Sequence, residues 1–324
     1  MEPRANPHFV GQEGAVAALF GAATSGRLHH GWLLSGPAGI GKATLAFRFA
    51  RWLLAGATAP DLGVDPGNPV AHRVAAGSHP DLFTVERRIN TKTDKMQSEI
   101  VINTVQEACR FMRLTPAEGG WRVVVIDGAE DMNPNAANAL LKVLEEPPAR
   151  AILLLATAAP GRLLPTIRSR CRALPMGGLS DDEMGALLRL YLPDLAPAEA
   201  ARLIELAEGS IGAALTLAAE GGVAIANLVD EALAGPVSAA RAQSIAEAVT
   251  RTSEGADKFE TFFALLRRGL AAATRRAARG TVGNALAAQV LLWQELGKLE
   301  REVQNLNLDK RAAILVALSQ LHGT

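Results

Sequence analysis

Cysteine is almost missing from this chain: Cys109 and Cys171 are the two in 324 residues. Two thiols cannot build a disulfide framework or a four-thiolate zinc site, so no zinc is expected and a reduced, cytoplasmic setting is. Neither charge is in excess, with 33 Lys and Arg against 33 Asp and Glu. The chain therefore has no surplus cation with which to hold DNA by its phosphates unaided, and any contact with nucleic acid has to be local or shared with partners. The opening residues, Met1, Glu2, Pro3, Arg4, Ala5, Asn6 and Pro7, lack the apolar core of a signal peptide, and later apolar runs are too short to span a bilayer. Export and membrane insertion are not expected. What the chain has in plenty is core-forming material, 49% hydrophobic, over a length that calls for two or three domains.

The most informative stretch is Gly36, Pro37, Ala38, Gly39, Ile40, Gly41, Lys42, Ala43 and Thr44. An apolar run with Trp32, Leu33 and Leu34 precedes it, and a helical period with Leu45, Phe49 and Leu53 follows. That is the strand, glycine loop and helix order of a phosphate-binding loop. The glycines let successive backbone N–H groups turn toward an anion, Lys42 adds a full charge, and the helix adds the positive end of its dipole. The next position in this pattern normally supplies a hydroxyl to Mg²⁺, and here it is Ala43. Thr44 follows about 100° around the helix and is no ready substitute. A nucleotide-shaped pocket for ATP or ADP is predicted, with its Mg²⁺ chemistry impaired.

A second signal is Trp121, Arg122, Val123, Val124, Val125, Ile126 and Asp127, an aliphatic strand ending in a carboxylate, as in a Walker B strand. The following position, where active ATPases of this type carry a glutamate that prepares the attacking water, is Gly128, and Glu130 and Asp131 are displaced by two and three residues. Asn133 and Pro134 mark a helix start, and Glu145, Glu146, Pro147 and Pro148 its end, with both glutamates expected to be solvated. Residues 151–156 predict another buried strand, with Thr157 emerging where open parallel sheets put their ligands. Pro165, Thr166, Ile167, Arg168, Ser169, Arg170 and Cys171 then lead into a short strand near Met176.

Elsewhere a helix is expected over residues 10–26, His29 and His30 read as packing or surface residues, and residues 56–77 as an irregular excursion of Gly, Pro and Ala. The charges of residues 86–95, among them Arg87, Arg88, Lys92 and Lys95, read as a solvated loop, because acidic residues are interspersed and no aromatic side chain is present for base stacking. Ser180 and Glu183 form a capping-box pattern, helices begin near Pro197 and Ser210, and the Gly235-Pro236 step suggests a boundary. Long amphipathic helices follow, with Arg267, Arg268, Arg275, Arg276 and Arg279 as a basic, solvated stripe.

In their order, GPAGIGK, VVVID, ANALLKVLEEPP, LLLAT and TIRSRC resemble the clamp-loader branch of the AAA+ proteins, most of all the delta-prime family of bacterial DNA polymerase III. The resemblance covers about the first 180 residues. It implies an α/β fold, with an AAA+ P-loop NTPase parallel sheet over residues 1–178, a small helical lid over 179–235 and an all-α collar over 236–324 through which subunits assemble. It implies a part in loading the sliding clamp onto primed DNA during replication, within the DNA-directed DNA polymerase (nucleotidyltransferase) holoenzyme. Motor and delta-type clamp-loader subunits are the implied partners, with the sliding clamp and primer-template DNA reached through the assembly. Gly36, Pro37, Gly39, Gly41, Lys42, Thr44, Asp127 and Thr157 are the implied nucleotide-binding residues, Thr157 as the sensor-1 residue. Arg170 matches the arginine finger that reaches into a neighbouring subunit's nucleotide site, an interaction worth about 10³ to 10⁵ in rate. The sensor-2 arginine position is Gly212. Ala43, Gly128 and Gly212 together remove metal ligand, base and sensor, so no intrinsic ATP hydrolysis is expected. The alternative is a catalytically active AAA+ ATPase motor subunit; a small-molecule P-loop kinase fits poorly, because no acceptor lid or catalytic carboxylate follows the loop.

Overall fold

The computed structural model describes residues 2–90, 95–251, 258–278 and 284–321. Thr91, Lys92, Thr93 and Asp94 of the charged stretch and Arg279 of the basic stripe lie outside the described residues, as do the side chains of Lys95 and Arg276. The chain divides into two compact units, the first Met1–Leu195 with Ala207–Ala213, the second Ala196–Leu206 with Ala214–Thr324.

The elements run α1 (Glu13–Thr24), β1 (Gly31–Ser35), α2 (Lys42–Leu54), α3 (Pro69–Ala75), β2 (Leu82–Val85), β3 (Ile89–Asn90), β4 (Lys95–Met96), α4 (Ile102–Met112), β5 (Arg122–Asp127), α5 (Pro134–Glu145), β6 (Ala151–Thr157), α6 (Pro165–Arg168), β7 (Arg172–Pro175) and α7 (Asp181–Tyr191). Then come α8 (Pro197–Ala207), α9 (Ile211–Ala219), α10 (Gly222–Ala234), α11 (Ala239–Thr250), α12 (Lys258–Ala278), α13 (Asn284–Leu306) and α14 (Lys310–Leu321).

Five strands form one parallel sheet in the order β2-β5-β6-β1-β7. Successive side chains of a strand face opposite ways. Trp32, Leu34, Val123, Val125, Ile152 and Leu154 join a core with Leu19 of α1 and Leu45 and Phe49 of α2. Leu33, Val124, Ile126, Leu153 and Leu155 join another with Val105 of α4 and Leu140 and Leu144 of α5. Because helices cover both faces, β6 is buried at every position, which is why it reads as an unbroken apolar run.

Local chemistry sets the helix boundaries. The side chains of Asn68, Asn133 and Ser180 each accept a backbone N–H at a helix start, and Ser180 and Glu183 complete the capping box. α1 begins at Glu13, later than expected, because Gly11 and Gln12 both take left-handed backbone conformations. The excursion at 56–77 contains a seven-residue helix, α3, opened by the same Asn-Pro signal as α5. Within the charged stretch, β3 and β4 pair as antiparallel strands, where a plain loop is expected. No single helix among the described residues is long and apolar enough to cross a membrane.

In the second unit, Phe259, Phe262 and Phe263 are fully buried. Arg267, expected on a solvated stripe, lies over the Trp293 ring at 4.3 Å and pairs with Glu300 at 3.0 Å, and Arg268 donates to the Leu206 carbonyl. These two arginines join helices instead of facing solvent.

Near the amino end of β5 in the first unit, Asp81 is 1% exposed and accepts the N–H groups of Ala117 (2.7 Å) and Glu118 (3.0 Å). Arg122 lies 3.6 Å from it, donates to Leu114 O and Thr115 O, and stacks over Phe111. Removing one partner of a buried pair costs about 3–5 kcal/mol, because the other is left uncompensated. Asp81→Ala is therefore expected to lower the thermal midpoint of the full chain clearly, and an unchanged midpoint would contradict this network.

Candidate functional site

The parallel register decides which residues meet. Ser35, at the end of β1, lies beside Thr157 of β6 and Pro175 of β7, and Asp127 of β5 lies beside Ala156. The carboxyl edge of the sheet thus gathers the glycine loop, Asp127 and Thr157. Gly36 N–H donates to Thr157 O at 3.3 Å, tying the loop to β6. Gly39 and Gly41 have φ of 73° and 97°, values that L side chains rarely adopt, so the loop can turn back on itself as its sequence implies.

Lys42 opens α2 and is buried. Its ammonium donates to Gly36 O at 2.9 Å and to Pro37 O, so the charge rests inside its own loop. Burial pulls its pKa below the ordinary lysine value, against the attraction of Glu130 and Asp127. Burial pushes the Asp127 carboxyl up, aided by Glu86 and Glu130 and opposed by Lys42. Ala43 is buried and Thr44 half-buried on the same turn. Thr157 is 1% exposed, and its hydroxyl accepts the Ala159 N–H at 3.2 Å.

Glu130 is the residue that sequence spacing set aside. Gly128, with φ 76°, starts a 3-10 turn over Ala129–Asp131 that folds the chain back. Glu130 Oε1 then accepts the Ala158 N–H at 2.8 Å, while its buried Oε2 makes no hydrogen bond among the described residues. The glycine that displaces a carboxylate in sequence returns one in space, and the signal for it was a glycine free to take a left-handed turn.

Gly212 packs directly on the glycine loop. Its N–H donates to Gly39 O at 2.9 Å, and a Cβ on it would lie 2.8 Å from Gly39 Cα. Ser210 Oγ donates to Ala38 O at 2.8 Å beside this contact. The segment meets the loop backbone to backbone, leaving no room for a side chain.

A loop of turned N–H groups, a helix start and an ammonium suit a polyphosphate. The metal of a bound nucleotide fits less well at position 43, since Ala43 offers no oxygen.

Arg170 is not brought to this edge. Arg172, two residues on, lies beside Trp32 near the amino end of β1, so roughly 13 Å of strand separates Arg170 from the loop. Its guanidinium pairs with Glu145 at 2.8 Å and donates to Thr166 O at 3.0 Å. Glu145, expected to be solvated, is thus engaged. Cys171 is buried, and its thiol is pushed up to about 12, which makes it unreactive. His29 and His30 stack at 4.3 Å, and His30 Nε2 lies 3.0 Å from Leu144 O, a packing arrangement.

A family model described as "DNA polymerase III, delta subunit" matches residues 11–179, more than half of the chain. The chain is 42% identical over 184 residues to the DNA polymerase III subunit delta' of Pseudomonas aeruginosa, covering 56% of this chain and 53% of that protein. It is 30% identical over 299 residues to subunit tau of Escherichia coli, covering 89% of this chain and 43% of tau. The chain thus spans about half or less of the length of these relatives. The crystal structure of a DNA polymerase III gamma subunit-related protein from Thermotoga maritima superposes with a TM-score of 0.47 at 17% identity, covering 97% of this chain and 99% of that one.

Two outcomes are expected of this edge. Gly212→Ala forces the Gly39 backbone to move and should cost about 1–3 kcal/mol, read as a lowered thermal midpoint of the full chain; no change would contradict the contact. Asp127 keeps its proton to higher pH folded than unfolded, so its contribution to stability falls as pH rises from 3.8 through the folded value. Asp127→Asn should therefore raise the midpoint at neutral pH, with the gain shrinking as the pH falls toward 3.8; a loss at neutral pH would contradict it.

Proposed function

We propose a function from one premise: this chain belongs to the DNA polymerase III delta-subunit family, among the AAA+ clamp-loader proteins. In this reading it is a cytoplasmic clamp-loader subunit of delta-prime type that helps place the sliding clamp on primed DNA. Motor and delta-type subunits are its direct partners, and clamp and DNA are reached through the assembly. The same reading assigns P-loop, lid and collar parts with bounds at about residues 178 and 235, which are not the bounds of the two compact units.

Within that machine the chain is a donor of charge to a neighbour and not a motor. The observation that carries this is the position of Arg170. A cation at the amino edge of the sheet cannot serve the loop at the carboxyl edge of the same subunit, but it can serve a loop on another chain. Charge developing on a transferring phosphoryl group is stabilised most by a fixed cation from outside its own phosphate loop. The chain's own pocket supports the same reading: Ala43 lacks the metal-binding oxygen and Gly212 the sensor arginine, while the one carboxylate that the turn at Gly128 returns, Glu130, is held by the Ala158 N–H. The glycine loop and Lys42 still suit the phosphates of ATP or ADP, held without a dedicated Mg²⁺ ligand at position 43.

In an assembled clamp loader, Arg170→Ala is expected to cut ATP turnover by about 10³-fold or more with assembly intact. Wild-type turnover by that complex would overturn the finger assignment. The purified chain, with or without Mg²⁺, is expected to show no hydrolysis above background, and turnover abolished by Lys42→Ala would favour the motor reading.

A further inference from the structure

The Glu145–Arg170 pair joins two segments that are distant in sequence, and its setting is unusual for a surface ion pair. Glu145 is the last residue of α5, where the negative end of the helix dipole disfavours a carboxylate. The Thr166 carbonyl belongs to the four-residue helix α6 and accepts the Ser169 hydroxyl at 3.1 Å, which leaves it a second lone pair. The Arg170 guanidinium answers both, with Nη2 on Glu145 at 2.8 Å and Nη1 donating to Thr166 O at 3.0 Å. One carboxylate at the end of α5 and one carbonyl of α6 therefore converge on this cation.

The backbone beneath it is fixed as well. Arg170 N–H donates to Ile167 O at 3.1 Å, and Cys171 is buried among the core residues around α5. A guanidinium carries five N–H donors, and the two described bonds leave others for an oxyanion. The side chain retains 35% of its exposure, so the tip is held yet accessible.

We propose that Glu145 is a positioning residue that aims Arg170 at a neighbouring subunit's nucleotide. The inference rests on the finger reading above. A half-exposed ion pair contributes little to stability, so the consequence of this one is orientation. A long arginine without that partner samples many rotamers, and a displacement of even 1 Å at a reacting group can cost about 10²-fold in rate. Glu145→Gln keeps an acceptor oxygen, whereas Glu145→Ala keeps none.

The test is ATP turnover by assembled clamp loaders carrying Glu145→Ala, Glu145→Gln, Arg170→Ala, or Glu145→Ala with Arg170→Ala. Glu145→Ala is expected to lower kcat about tenfold with KM for ATP unchanged, and Glu145→Gln to fall between it and wild type. The double variant should be no slower than Arg170→Ala, because a positioning residue has nothing left to position. Unchanged or faster turnover with Glu145→Ala, while Arg170→Ala is impaired, would overturn this inference and leave the finger reading standing. A double variant slower than Arg170→Ala by the full Glu145→Ala factor would also overturn it. Wild-type turnover with Arg170→Ala would overturn the finger reading itself and this inference with it.

Discussion

A parallel sheet gives all of its strands the same direction, and in this protein that constraint divides the functional groups between two edges. β1 leads into the glycine loop at one end and lies beside the start of β7 at the other. Side chains such as Trp32 and Leu33 alternate into two separate cores, so a shift of register by one residue would turn every apolar group to the wrong face. The separation of Arg170 from Lys42 is therefore not a matter of loop conformation. It is fixed by the pairing of Trp32 with Arg172 and of Ser35 with Thr157.

At the carboxyl edge the pocket answers its own charges. Lys42 is held by two loop carbonyls, Glu130 by the turn after β6, and the loop's outer carbonyls by Ser210 and Gly212. Both Lys42 and Asp127 are shifted toward their neutral forms by burial, a cost that a fold bears where it keeps charged groups for something other than stability. Gly39 and Gly212 are matched, because a side chain on either would strike the other segment. The absence of a side chain at position 212 and the close backbone contact are then one fact seen from two sides.

Much of this could be read from the chain beforehand, for a physical reason: local interactions leave local signals. The Asn133-Pro134 start, the Ser180 capping box and the unbroken apolar run of β6 depend on residues within a few positions of one another. The glycine loop and Asp127 were legible because each closes an apolar strand. What escaped depended on distant partners or on backbone freedom. The helix α3 lay hidden in a stretch rich in Gly and Pro, although Asn68 and Pro69 announced it. Glu130 returned to the pocket through a left-handed Gly128, Arg267 left solvent for Trp293 and Glu300, and Glu145 found Arg170 across 25 residues of chain. Composition marks such side chains as charged and so as solvated, whereas the fold supplies each with a partner.

The proposed role of Arg170, toward a nucleotide held by another chain, can be mapped directly. An ATP analogue with a photoreactive group on its γ-phosphate, activated in an assembled clamp loader, should attach to the peptide containing Ser169, Arg170 and Cys171 of this chain. Labelling confined to its own loop, around Gly36 to Thr44, with none at Arg170, would contradict it.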